Sequence, residues 1–202
     1  DIAALIRSEN PDVLLLQELH DGAKASDYEN QTERLLAQLN NQYPCYSEAF
    51  YWKAKFVPHP SIMGSVGMKL VTLSKYKIDA AQRVQLTKID ADPVTKAFNL
   101  KRAVLISELP VDNGKPLLAM NTHLDAFSQG YDTMDRQVAE VKALLDNAPS
   151  SWFIGGDFNL LPPGQFDALP ASQQIWYNPK TEILPLTSNF PSVPSMANVN
   201  SP

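Results

Sequence analysis

Cysteine is nearly absent from this chain. Cys45 is the single one in 202 residues, so no internal disulfide can form and no cysteine-based metal cluster can be built. The redox compartment is left open. Histidine is scarce too: His20, His59 and His123 are the complete set. No apolar run approaches the roughly 20 residues of a membrane helix, which excludes an integral membrane segment of that kind. The chain opens Asp1-Ile2-Ala3 without a basic leader, so no signal peptide is expected in the sequence as it stands. Repeats and low-complexity tracts are absent. What remains, 44% hydrophobic and 19% charged, is the composition of an ordinary soluble globular chain with one well-buried core, read here as a single domain over 1–202.

The formal charge of −5 hides an asymmetry. Residues 53–102 carry ten Lys/Arg against three acids, a local +7 that leaves −12 for the rest. A basic middle between acidic flanks suits an anionic substrate drawn to one side of the molecule. Solvated strand faces are the competing reading. The modest total argues against tight non-specific binding to long duplex DNA.

Three strings share one grammar, an apolar strand with polar chemistry at its C-terminal end. PDVLLLQE runs through Val13–Leu16 to Gln17 and Glu18. LLAMNTHL ends on His123 and Leu124. SSWFIGGDFN ends on Gly155-Gly156-Asp157-Phe158-Asn159. Strand alternation would turn Asp157 and Asn159 to one side and Phe158 into the core. A hard acceptor beside a group that both donates and accepts suits metal-assisted attack on a phosphate ester. In layered α/β proteins, strand ends are where sites collect.

The remaining pattern alternates helices and strands. Ile2–Glu9 reads as a short amphipathic helix capped by Asp1 and stopped before Pro11, followed by a strand over 12–18. Ser26-Asp27-Tyr28-Glu29 reads as a capping box opening a helix to about Asn40, with Leu35, Leu36 and Leu39 on one face. Strands are expected over 45–52, 66–74, 82–88, 101–109 and 116–124, with a loop over 53–65. The Asp112-Asn113-Gly114 turn makes the pair 101–109 and 116–124 antiparallel. A last helix spans about Thr133–Asp146, with Val138, Val141, Leu144 and Leu145 inward. From Leu161 the texture changes, because eight of 16 prolines fall between Pro162 and Pro202. Irregular, mobile structure is expected over 161–202.

Strand-QE, strand-NTHL and strand-GGDFN, in this order over residues 1–165, resemble the endonuclease/exonuclease/phosphatase superfamily. It includes DNase I, abasic-site endonucleases, inositol-polyphosphate 5-phosphatases and bacterial sphingomyelinases. The elements and the resemblance agree on a four-layered α/β/β/α sandwich, DNase I-like, of two stacked mixed sheets with helices outside. The resemblance implies a divalent-metal-dependent phosphoesterase. Glu18 would bind Mg²⁺, with Mn²⁺ as an alternative. His123 would contact a non-bridging phosphate oxygen, Asp157 would position the attacking water or orient the base, and Asn159 would hydrogen-bond the phosphate or help hold the metal. Arg102 matches the phosphate-clamping position, with an edge-strand solubilising charge as the competing reading. Gly64, Gly67 and Lys75-Tyr76, and the helix pair Arg136-Gln137, match structural signatures.

The chain departs from the pattern at both ends. A first strand carrying a metal-binding Asn and a last strand ending Ser-Asp-His are not in it. The reading is therefore an incomplete domain, inactive alone for want of the His that serves the attacking water. The substrate is left open between nucleic acid and a phospholipid or inositol-phosphate head group, with the His123 string nearer the DNase I and sphingomyelinase branches. A non-catalytic binding or interaction module on the same scaffold is the alternative. Oligomeric state is left open.

Overall fold

Alternation along each strand decides what each sheet covers, and here both sheets are covered twice. The structure, a computed structural model, describes residues 1–112, 114–126 and 132–199. Helix α1 (Ile2–Glu9) leads into β1 (Val13–His20), then α2 (Gln31–Gln38), β2 (Cys45–Val57) and β3 (Gly64–Ser74). Next come β4 (Ala80–Gln85), α3 (Pro93–Phe98), β5 (Ala103–Leu109), β6 (Leu117–His123), α4 (Thr133–Asp146) and β7 (Trp152–Asp157). One sheet has the order β1-β3-β2, all antiparallel, and the other β4-β5-β6-β7, with β6 and β7 parallel.

The sheets stack on each other. Leu70 of β3 and Leu105 of β5 are fully buried together with Ala49 and Tyr51 of β2. Burying a leucine side chain contributes about 2 kcal/mol. The outer face of the first sheet, Leu14, Leu16, Val71 and Leu73, packs against Ala3 and Ile6 of α1 and against Leu35, Leu36 and Leu39. The outer face of the second, Val104, Leu118 and Met120, packs against Val138, Val141 and Leu145 of α4. The result is the expected four-layered sandwich.

Several boundaries moved, for local reasons. The Asp1 cap holds, its carboxylate accepting from Ala3 N at 3.0 Å. The box at Ser26 does not open a helix. Lys24–Ser26 is a single 3₁₀ turn, Asp27 and Tyr28 take left-handed φ of 50° and 63°, and Asn30 caps α2 by accepting from Thr32 and Glu33. Asn serves as well as Ser at that position, so the nearer cap won. The loop placed over 53–65 is mostly strand: β2 runs on to Val57 and β3 begins at Gly64. Pairing across the long hairpin overrides the weak strand signal of its lysines. Strand β4 ends at Gln85, short of residue 88, and α3 had no clear sequence signal. The pairing of β5 with β6 is antiparallel as expected, although Asn113 of the turn lies outside the described residues. Of the Pro-rich stretch, 200–202 lie outside them as well. The rest forms only short turns of helix, yet Ile183, Leu186 and Phe190 pack into the α4 layer.

Lys69 on β3 is fully buried and held by Asp21 at 3.1 Å and Glu48 at 2.7 Å, so the end of β1 is tied to β2 across β3. At the other sheet, Gly156 has φ 147°, and a Cβ there would collide with the Thr122 carbonyl oxygen. Gly156→Ala is therefore expected to destabilise the protein by at least about 2 kcal/mol. The urea midpoint checks this, and a variant as stable as the parent would contradict the close approach of β6 and β7.

Candidate active site

Three of the proposed site residues meet at one rim of the sandwich. The odd-numbered residues of β6 face the opposite sheet, which turns Asn121 and His123 inward. β7 runs parallel beside it and pairs Asp157 with His123. Glu18 arrives by a different device. The β1–β3 register shifts between Leu16 and Leu19, and Glu18 in this bulge has a left-handed φ of 62°. A bulge re-aims a side chain against the strand's alternation. The Glu18 carboxylate reaches 4.0 Å from His123 Nδ1, and Asp157 Oδ2 lies 3.8 Å from Nε2. The imidazole thus sits between two carboxylates from different sheets.

Asp157 ends its strand, so Asn159 is not on β7 and the expected alternation stops short of it. Asn159 takes φ 52°, donates its backbone N–H to Asp157 Oδ1 at 2.9 Å, and donates Nδ2 to the Leu124 carbonyl at 3.0 Å. Its amide meets the backbone after β6, and Phe158 packs inward as expected. Arg102 is buried beside the site, donating Nε to Asp125 Oδ1 at 3.3 Å, with its guanidinium 5.3 Å from the Tyr51 ring. Its Nη1 is buried with no hydrogen-bond partner among the described residues.

Three residues that the sequence did not single out as site residues complete the surroundings. Tyr51 lies at a second bulge, where the β2–β3 register shifts between Phe50 and Trp52, and its Oη is 3.1 Å from His123 Nδ1. Asp125 comes two residues after His123. Gln137, fully buried on α4, accepts from Asp125 N at 2.9 Å and donates to Asp125 Oδ2 at 3.3 Å and to the Thr87 carbonyl at 2.8 Å. The inward face of α4 was readable as apolar. A buried glutamine on it was the available signal that something polar needed holding.

Burial dominates the electrostatics. It pushes His123 down to about 4, with the Arg102 charge acting in the same direction and Asp157 opposing. Burial raises the Tyr51 phenol well above its usual range, so it stays protonated. Among the described residues no group of three or more His, Cys, Asp and Glu is arranged to hold a metal, which does not fit a zinc cage. The Glu18 side chain is 61% exposed and its carboxylate takes no hydrogen bond among the described residues. One or two free carboxylates, with water and substrate oxygens completing the shell, is the donor set Mg²⁺ prefers.

Two stacked sheets, the first purely antiparallel rather than mixed as expected and the second mixed, are flanked by helices with acids and a histidine at strand ends, and define a DNase I-like sandwich. A model of the endonuclease/exonuclease/phosphatase family matches residues 1–198, and the chain belongs to that family. An endonuclease/exonuclease/phosphatase from Beutenbergia cavernae DSM 12333 superposes with a TM-score of 0.63 at 21% identity, over 88% of this chain and 45% of that one. A family protein from Leptotrichia buccalis C-1013-b gives 0.55 at 16% identity, over 78% and 58%. The human Nocturnin catalytic domain with bound sulfate gives 0.52 at 20% identity, over 86% and 61%. The chain thus spans 45–61% of these structures, and at such identities the likeness is one of fold. No curated protein matches the chain. Among the described residues no helix is long and apolar enough to cross a membrane.

The buried imidazole makes stability depend on pH. An unfolded histidine titrates near 6.5, and His123 in the fold near 4. As pH falls the unfolded chain takes the proton first. Stability is full above about pH 6.5 and is lost between there and about pH 4, by up to about 3 kcal/mol. Urea midpoints measured from pH 8 to pH 4 should show this loss, and His123→Asn should flatten it. The same loss in the variant would place its origin elsewhere.

Proposed function

We propose that the protein is a divalent-metal-dependent hydrolase of phosphate esters. The observation that carries this is the convergence of Glu18, His123 and Asp157, from three strands in two sheets, beside a buried arginine with an N–H that has no partner among the described residues. Each group suits one demand of the reaction. Glu18, exposed and free, would hold Mg²⁺ or Mn²⁺, which when bound would supply charge to offset that developing on the phosphoryl oxygens. His123, neutral and buried, donates to a non-bridging phosphate oxygen. Arg102 offers Nη1 to the same anion, with its orientation fixed by Asp125. Asp157 accepts a hydrogen bond from the attacking water and aligns it for in-line displacement of the leaving oxygen. Asn159 serves Asp157, since its backbone N–H fixes one carboxylate oxygen.

The substrate class is a phosphodiester or phosphomonoester of a nucleic acid or of a phospholipid or inositol-phosphate head group. Lys101 precedes Arg102 and is tied to Tyr51 by its backbone N–H at 2.6 Å, so the basic middle of the sequence reaches the rim of the site. The sulfate bound to the human Nocturnin catalytic domain, a tetrahedral anion, supports this reading.

In the complete protein, hydrolysis of bis-p-nitrophenyl phosphate should need Mg²⁺ or Mn²⁺ and stop with excess chelator. Glu18→Ala should lose at least about 100-fold in turnover. Its unfolding midpoint should stay within about 0.5 kcal/mol of the parent, because an exposed carboxylate supports no packing. Undiminished turnover in the variant, or in chelator, would refute the role given to Glu18.

A further inference from the structure

Tyr51 is the extra residue of the β2 bulge, and it continues the inner face of Ser47 and Ala49, so its ring lies between the sheets. Tyr51 and His123 are 1% and 4% exposed. Their rings meet edge-on, with centroids 5.4 Å apart and planes at 63°, and Tyr51 Oη lies 3.1 Å from His123 Nδ1. A neutral imidazole carries one proton, on either nitrogen, and the partners of the two nitrogens decide which.

The partners here are unequal. On the Nε2 side stands Asp157, 3.8 Å away, and an ionised carboxylate only accepts. On the Nδ1 side stands a phenol, which can donate. Burial keeps that phenol protonated, so at 3.1 Å it has a proton to give to Nδ1. The Glu18 carboxylate would favour the opposite arrangement, but it is 4.0 Å from Nδ1 and 61% exposed, where water screens it. A proton on Nδ1 would leave the phenol without an acceptor and would turn the bare Nε2 lone pair toward Asp157.

We infer that Tyr51 is a positioning residue that holds neutral His123 as the Nε2–H tautomer, aiming its one N–H at the Asp157 side of the site. The tautomer rests on this geometry. Its use, donation to a phosphate oxygen rather than removal of a proton from water, rests on the phosphoesterase reading. The Lys101 N–H on the Tyr51 carbonyl, at 2.6 Å, pins the bulge in place.

Long-range ¹H–¹⁵N correlation spectra of the full chain at about pH 8 test this. His20→Gln and His59→Gln variants identify the His123 signals. The expected spectrum shows a protonated Nε2 and a bare Nδ1. In Tyr51→Phe the two nitrogen shifts should move toward each other as the tautomers mix. In the complete protein Tyr51→Phe should also lose roughly tenfold in kcat, the worth of one hydrogen bond, with KM unchanged. A wild-type spectrum with the proton on Nδ1 overturns the inference, and so does a Tyr51→Phe spectrum identical to the parent's. If Tyr51→Phe does not fold, the wild-type spectrum decides alone. The expected spectrum together with a complete protein that hydrolyses no phosphate ester would overturn the phosphoesterase reading and leave the tautomer assignment standing.

Discussion

A single buried carboxamide joins the two sheets at the site. Asn121 on β6 is fully buried, donates Nδ2 to the carbonyls of Leu16 and Val71 at 3.0 Å each, and accepts from Gln17 Nε2 at 2.7 Å. An amide taken from water without partners costs about 1–3 kcal/mol. Here both hydrogens and the oxygen are used, so the arrangement is satisfied only when β6 lies at one height against β1 and β3. That height fixes the residues just beyond it on each strand. One residue after Gln17 comes the bulge that turns Glu18, and two residues after Asn121 comes His123. The relative position of acid and imidazole, which no single sheet could set, is set by this amide.

Around that anchor the site departs from regular geometry wherever it needs a side chain aimed. Glu18 and Asn159 are non-glycine residues in left-handed backbone, and Gly156 sits at φ 147° where a side chain could not. Such conformations cost on the order of 1–3 kcal/mol each and persist where surrounding contacts overdetermine them. The contacts are visible: Lys69 between Asp21 and Glu48 secures β1 beyond the Glu18 bulge, and Asn159 is fastened to Asp157 and Leu124. A second chain of polar contacts runs from Gln137 through Asp125 to Arg102, over the Tyr51 ring and on to His123. It links the outer helix α4 to the imidazole.

The layered fold was legible because long periodic segments carry it. Thr133–Asp146 shows its helical face and formed as expected, and the apolar run expected as a strand over 116–124 formed as Leu117–His123. The site was legible in part, because carboxylates and a histidine at strand ends have few reasons to be there. What could not be read was geometry that leaves no trace in residue type. Neither bulge has a sequence mark, so the turning of Glu18 was invisible. Tyr51 looked like one more aromatic in a strand. Asn159 was read as a continuation of β7, but the strand ends two residues earlier, and its amide serves the backbone. Ser26 and Asn30 both have side chains that fit a cap, and residue type alone does not say that the helix starts at the second.

The central claim is that Glu18, His123 and Asp157 form one site beside a divalent cation. Titration of ¹⁵N-labelled protein with Mn²⁺, followed by paramagnetic line broadening, tests it most directly. The His123 imidazole and the amides of Glu18 and Asp157 should broaden first and together, while Ala81 on the far strand β4 stays sharp. Broadening that starts elsewhere, or that reaches Asp157 without Glu18, would contradict the account.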